Sequence, residues 1–168
     1  MPAALLAAGS GGPLLAWRID SLAHASTCLS GIGAERFGGR WNPKGQRAVY
    51  CSLDPATCLV EAAVHRGFAA LDTQPHVLSC LRIDPSGLLV LMPDDLPNPA
   101  WLHGGVPSAG QQRFGAERLA LHGVLVLPSA VSKPSWNLLI APGPAAGRFE
   151  LLHQQRLVVD VRLNPAPA

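Results

Sequence analysis

The sequence predicts an α+β fold, a single domain built on a mixed, largely antiparallel sheet with a few short helices. Three observations carry this expectation. A chain of 168 residues and 17.6 kDa supports one hydrophobic core comfortably and two poorly. Its 17 glycines and 16 prolines are scattered without a period, which implies many tight connections and excludes collagen and coiled coils. The apolar runs between these breaks are short, and they lack the regular strand-helix alternation of a doubly wound sheet.

Residues 1–16 carry no charge and are broken by Gly11, Gly12 and Pro13, so they read as a flexible leader and not as a secretory signal, which would need a basic start. Ordered structure is expected to open at 17–19, followed by a mixed segment over 22–30 and a glycine-rich run over 31–39. That run resembles a dinucleotide fingerprint only superficially. Arg36 occupies the position of its last glycine, no buried strand precedes it, and the turn Asn42-Pro43-Lys44-Gly45 forbids a long helix after it. Residues 47–52 read as a strand. Asp54-Pro55 then supplies an N-cap and a first-turn proline for a helix ending before Gly67. Strands are expected at 76–83 and 88–92, then a proline-rich loop over 93–107 that contains Trp101. A helix over 112–122 leads to a buried strand over 123–127, and strands at 137–141, 148–153 and 156–161 complete the set. The domain therefore spans 17–162, with 163–168 as a frayed tail.

Several function classes are excluded or weakened by composition. A formal net charge of +2, with Lys44 and Lys133 as the only lysines, is too small for a nucleic-acid footprint. Four cysteines without a CxxC pair, in a chain of this size, suggest a reducing, cytoplasmic setting. No stretch approaches the ~18 uninterrupted apolar residues of a membrane span. The histidines show no HxxxH or HExxH spacing and no Cys/His cluster forms a zinc pattern, so no metal is expected. Neither a GxSxG elbow nor a P-loop is present.

Glu61 is the only acid in the run Pro55-Ala56-Thr57-Cys58-Leu59-Val60-Glu61-Ala62-Ala63-Val64-His65, which is apolar on nearly every face and therefore expected to be largely buried. A carboxylate there either finds partners at a cleft or occupies the one solvent-facing stripe and pairs with His65 at i+4. Arg40, between a diglycine and Trp41-Asn42-Pro43, either forks onto a phosphate or packs over Trp41 in a turn. Tyr50, the single tyrosine, stacks on a planar ligand or fills the core. Ser129, just past a buried strand, reaches a ligand or stabilises a turn.

Taken together, Gly39-Arg40-Trp41-Asn42, Val49-Tyr50-Cys51-Ser52, Leu59-Val60-Glu61 and Pro128-Ser129-Ala130-Val131 followed by Asn137 resemble the RES-domain toxins of bacterial RES-Xre type II toxin-antitoxin pairs. The likeness runs from Trp17-Arg18 to Val159-Asp160-Val161-Arg162. It implies an ADP-ribosyltransferase-like fold with NAD as substrate, and either hydrolysis or phosphorolysis of NAD or transfer of ADP-ribose to a protein acceptor. Arg40 would match the NAD-binding arginine, Tyr50 the aromatic of the nicotinamide pocket, Glu61 the catalytic acid and Ser129 the family serine. Arg18 would match a second basic residue near the phosphates and Asn137 a polar residue after the serine motif. The sequence departs from many relatives after Asn137, where Gly143-Pro144 replaces a His-Pro. The same resemblance implies an Xre-like antitoxin that covers the active site, in a hetero-oligomer. The alternative is a non-catalytic module that binds a nucleotide or a protein.

Overall fold

In the structure, a computed structural model that describes residues 2–9 and 11–163, seven strands form one sheet with the spatial order β4-β5-β6-β2-β1-β3-β7. The strands are β1 (Leu14–Ser21), β2 (Val49–Ser52), β3 (His76–Ile83), β4 (Leu89–Val90), β5 (Val124–Pro128), β6 (Trp136–Ile140) and β7 (Phe149–Arg156). All neighbours pair antiparallel except β4 and β5, which are parallel. The helices are α1 (Ala3–Gly9), α2 (Ile32–Phe37), α3 (Pro55–Arg66), α4 (Phe68–Thr73) and α5 (Ala109–His122). The expected α+β class with a mixed sheet and short helices is what the chain adopts.

The sheet has a seam. β1 pairs with β3 over its full length, from Leu14↔Ile83 to Ser21↔His76, and β2 pairs with β6 from Val49↔Ile140 to Ser52↔Asn137. β1 and β2 meet only at Trp17↔Ser52 among the described residues. Beyond that pair the two halves diverge, and the Arg18 guanidinium bridges the gap by donating from Nη1 to the Tyr50 carbonyl at 2.9 Å. A strand carbonyl that has lost its ladder partner needs such a donor.

Three apolar clusters hold this frame. Leu14, Ala16, Val49, Cys51, Leu81, Val126, Leu138 and Ile140 form one, to which Ala4, Leu5 and Ala8 of α1 add their side chains. This docking orders residues 3–9 as a helix, and β1 begins at Leu14, where the sequence suggested a flexible leader through residue 16. The second joins Leu125, Leu127 and Leu139 to Trp41, Phe114 and Leu119, and the third seats Cys58, Ala63 and Leu71 of α3 and α4 on Ile19 and Leu78. Trp101 packs on Trp41 and Phe114 with ring centroids 6.3 and 5.3 Å away, so the 93–107 loop is fastened to its own domain through two short 3₁₀ turns.

Several boundaries differ from the sequence expectation. The strand expected at 148–153 is β7, which runs on to Arg156, whereas the strand expected at 156–161 does not form: the chain leaves the sheet after Arg156 and closes in a 3₁₀ turn at Val161–Leu163. Main-chain pairing with β3 continues to Val77↔Arg156, and Leu152 is accommodated by a register shift opposite Cys80/Leu81. The glycine-rich run contains α2, bracketed by Gly31 and Gly38 at φ +69° and +72°, conformations that a side chain disfavours. α5 starts at Ala109, earlier than expected, because Ser108 caps it by accepting from the Gln111 N–H at 3.1 Å. α4 is an addition, since Gly67 at φ +82° turns the chain straight into a second short helix. The tail at 164–168 lies outside the described residues.

Candidate active site

Helix α3 carries the central carboxylate. Asp54 caps it twice over, Oδ1 accepting from the Thr57 N–H at 2.8 Å and Oδ2 from the Thr57 hydroxyl at 2.6 Å, and Pro55 suits the first turn, where no N–H is needed. Contrary to the expectation of a largely buried helix, only Thr57, Cys58 and Ala63 are buried, and Val64 is 63% exposed. The unburied face borders a cavity of about 710 Å³ that takes residues from both sides of the seam.

Glu61 points across the helix-sheet interface, not along its own helix toward His65. Its Oε1 accepts from the Ser129 hydroxyl at 2.7 Å and from Asn137 Nδ2 at 2.5 Å. Ser129 is 2% exposed, and its oxygen also accepts the N–H groups of Val131 at 3.0 Å and Ser132 at 2.9 Å. With both lone pairs taken, its one proton goes to Glu61, so this serine is an orienting group and not a free nucleophile. Asn137 in turn accepts at Oδ1 from the Ser52 hydroxyl at 2.8 Å. Two donors thus converge on one carboxylate oxygen, and Oε2, in a residue that lines the cavity, is left as an acceptor for a ligand.

Tyr50 lines the same cavity, but its hydroxyl belongs to the fold: it donates to Asn42 Oδ1 at 2.7 Å and accepts the Trp41 N–H at 3.0 Å. Burial pushes this phenol well above the ordinary tyrosine range, against the smaller opposing effects of those hydrogen bonds and of Arg40. What remains for a ligand is the ring. Asn42, fully buried, spends its Nδ2 on carbonyls including those of Ala34 at 3.0 Å and Gln46 at 2.9 Å, which fixes the turn that follows Arg40. At Gly39 an added Cβ would collide with the Tyr50 hydroxyl and lie 2.7 Å from Asn42 Oδ1, so the backbone approach here requires glycine.

Arg40 also lines the cavity and directs Nη1 to the carbonyls of Trp101 and His103, both at 3.1 Å. The loop thereby orients the guanidinium, whose Nε and Nη2 have no protein hydrogen bond among the described residues. Arg18 lines the cavity as well and is engaged within the protein. Its Nη2 meets Asp20 Oδ1 at 2.6 Å while Nη1 spans the seam. Burial works against its charge, but Asp20, helped by Cys51 and Cys28, outweighs this and holds its pKa above the ordinary arginine value. Arg18 Nε and Asp20 Oδ2 are buried with no hydrogen-bond partner among the described residues.

The structure therefore brings Glu61, Ser129 and Asn137 into one hydrogen-bonded group, and sets Arg40, Tyr50 and Arg18 around the same cavity. Sequence reasoning missed Asp20, Asn42 and the role of Ser52. For Asn42 a signal existed, a polar residue between Trp41 and Pro43 that proves to be fully buried. The cavity wall carries Arg18, Arg36, Arg40 and Arg66 against Asp20 and Glu61, an excess of positive charge suited to an anionic ligand. Among the described residues no group of three or more His, Cys, Asp or Glu could hold a metal ion, and no helix is long and apolar enough to cross a membrane.

Comparison with known proteins gives a consistent result. A family model described as RES domain matches residues 15–160. Proteins named Toxin Res from Yersinia enterocolitica and Photorhabdus laumondii are 28% and 30% identical over 131 residues, 77% of this chain and 84% and 82% of theirs. A Prs ADP-ribosylating toxin from Sphingobium sp. is 33% identical over 158 residues, covering 88% of this chain and 94% of that protein. A solved chain of the M. tuberculosis MbcT-MbcA toxin-antitoxin complex superposes with a TM-score of 0.72 at 20% identity, with 93% of each chain covered, and so shares the fold.

Proposed function

This chain belongs to the RES-domain family, and from that premise we propose that it is the toxin of a toxin-antitoxin pair and cleaves the nicotinamide-ribose bond of NAD. The observation that carries the reading is Glu61: a carboxylate braced from behind by Ser129 and Asn137, with its second oxygen left over, in a cavity whose wall is rich in arginine. The relative named an ADP-ribosylating toxin supports the same chemistry.

In this reading NAD lies along the cavity with its pyrophosphate on the open edge of Arg40 and its nicotinamide against the Tyr50 ring. The bond from ribose C1′ to the pyridinium nitrogen breaks with its electron pair going to nitrogen, so nicotinamide leaves neutral and needs no proton. Positive charge develops on the ribose. Glu61 Oε2 accepts a hydrogen bond from a ribose hydroxyl and stabilises that charge, as carboxylates do in glycoside cleavage. An acceptor, either water, phosphate or a protein side chain, then bonds to C1′ and loses its proton. Ser129 and Asn137 act on substrate only through Glu61, and Arg18 holds Tyr50 in place across the seam.

Such an activity has to be restrained in the cell that makes it. We assign the restraint to an Xre-like antitoxin that covers the cavity in a hetero-oligomer, acting in the cytoplasm; the toxin-antitoxin complex among the structures of this fold supports it. Coexpression with the adjacent gene product should yield a complex that no longer releases nicotinamide.

The decisive assay is nicotinamide release from NAD by the purified chain, with and without phosphate and with a cell lysate as acceptor source, beside Glu61→Gln. Wild type should release nicotinamide, and Glu61→Gln should be slower by about a hundredfold or more while remaining folded. Equal activity of the two proteins would overturn the assignment. NAD binding by calorimetry with no product under any acceptor would instead establish a binding module.

A further inference from the structure

Ser52 has no part in the chemistry above, yet its position is singular. It is the one described residue of β2 in register with strands on both sides, opposite Trp17 of β1 and Asn137 of β6. It is 2% exposed, and its hydroxyl donates to Asn137 Oδ1 at 2.8 Å. We propose that Ser52 is a positioning residue for Glu61 that acts through Asn137, a role that rests on the reading of Glu61 given above.

The side-chain amide of Asn137 has two unlike ends, a donor and an acceptor. Asn137 can help a carboxylate only when its Nδ2 faces Glu61; rotated by half a turn, it would present Oδ1 and repel. A hydroxyl that donates to Oδ1 from the other side favours the useful orientation. Residues directly opposite in an antiparallel ladder place their side chains on one face within reach of each other, so Ser52↔Asn137 pairing delivers that donor without adjustable parts. Removing it leaves Oδ1 without its donor and the amide free to turn or drift. Glu61 then keeps Ser129 but loses a firmly held second donor, and Oε2 is no longer fixed relative to the ribose.

The test is a double-mutant cycle read by kinetics of nicotinamide release. Ser52→Ala is expected to lower kcat about tenfold, the worth of the Asn137–Glu61 hydrogen bond that it loosens, with KM for NAD nearly unchanged because binding contacts are untouched. In an Asn137→Ala background the same substitution should do nothing further, and Ser52→Thr, which keeps the hydroxyl, should restore most of the rate. Independent, multiplicative effects of the two alanines, or an effect on KM alone, would refute the role. If Ser52→Ala does not fold by circular dichroism, Ser52→Cys replaces it: a thiol donates weakly and should give an intermediate kcat, whereas a full rate would refute the role. The side-chain amide resonances of Asn137 give a readout without substrate. Slow proton exchange in wild type and Ser52→Thr, lost in Ser52→Ala, supports the arrangement even if NAD is never cleaved, in which case the proposed function alone fails. NAD cleavage that depends on Glu61 but ignores Ser52, with an unaltered Asn137 amide, leaves the function standing and removes this inference.

Discussion

Ser129 shows how one buried side chain serves fold and site together. Its oxygen accepts from the N–H groups of Val131 and Ser132 while its proton goes to Glu61, so Ser129→Ala leaves two main-chain donors without their partner and Glu61 with Asn137 alone. We expect the variant to lose about 1–3 kcal/mol in urea denaturation as well as activity, a double loss that Glu61→Gln should not share. Cysteines give a second residue-scale expectation. Burial pushes the Cys58 thiol up to about 12 from an ordinary value of 9.0, against a smaller downward pull from Arg18, and raises Cys51 further. Both should resist iodoacetamide at pH 8 in the folded protein and react once it is denatured. The sign on stability follows: a thiol whose folded pKa is raised contributes fully below the unfolded value near 9.0, and that contribution is lost as pH climbs toward about 12. Stability measured by denaturant titration should therefore fall above pH 9, and Cys58→Ser should flatten the fall. Glu61 was legible in the sequence because a lone acid on an apolar helix demands an explanation. Ser52 and Asp20 were not, since nothing local separates a serine that orients an amide, or an aspartate that pairs across i, i+2, from ordinary strand polarity.

At the scale of elements, α5 is the buttress of the Arg40 turn. Gln112 Nε2 donates to the Gly39 carbonyl at 2.9 Å, Gln46 reaches back to the Ala116 carbonyl at 3.1 Å, and Gly115 lets the helix lie against the Trp41 backbone. Alanine for glycine inside a helix ordinarily gains up to about 1 kcal/mol. Here the new Cβ would strike the Trp41 carbonyl oxygen and lie 2.7 Å from its Cβ, so we expect Gly115→Ala to reverse the sign and cost about 1–3 kcal/mol, seen as a lower melting temperature. KM for NAD should rise with it as Arg40 shifts. In the sequence a glycine inside a helix reads only as a weakness of that helix, because close approach of a distant turn leaves no local mark. A similar limit explains α3: its composition implied burial on every side, but one face borders a cavity, and composition does not distinguish a core from a cleft. The Asp54 cap, the first-turn Pro55 and the stop at Gly67 were all readable, since each is written within a few residues. β7 runs past its expected end at 153 and stops at Arg156 with no second strand after it, because its length is set by β3, more than 60 residues away in the chain, as the Arg82-Glu150 separation of 68 illustrates.

For the molecule as a whole, the seam is the controlling feature. The two half-sheets share one register pair and are otherwise joined by side chains, with Arg18 the most direct tie, and the cavity draws residues from both. A ligand that spans this opening binds only the folded chain and adds contacts where main-chain pairing is missing. Glu61→Gln, which retains the cavity, should therefore be stabilised by NAD in proportion to the logarithm of its concentration, by about 2.7 kcal/mol at a hundred times Kd. An absent thermal shift at millimolar NAD would argue against binding at the seam. The fold class was recoverable from scattered glycine and proline and from short apolar runs, because these reflect how often the chain must turn. The seam was not, because it consists of hydrogen bonds that fail to form between strands.

The long-range bonds to Glu61 have a further consequence, in the order in which the chain is made. Glu61 leaves the ribosome 68 residues before Ser129 and 76 before Asn137. Until Ser129 emerges the carboxylate has neither partner, until Asn137 emerges it lacks the second, and contacts so remote in sequence are slow to close even in a complete chain. The hydrogen-bonded group around Glu61 is thus incomplete for most of the chain's own synthesis.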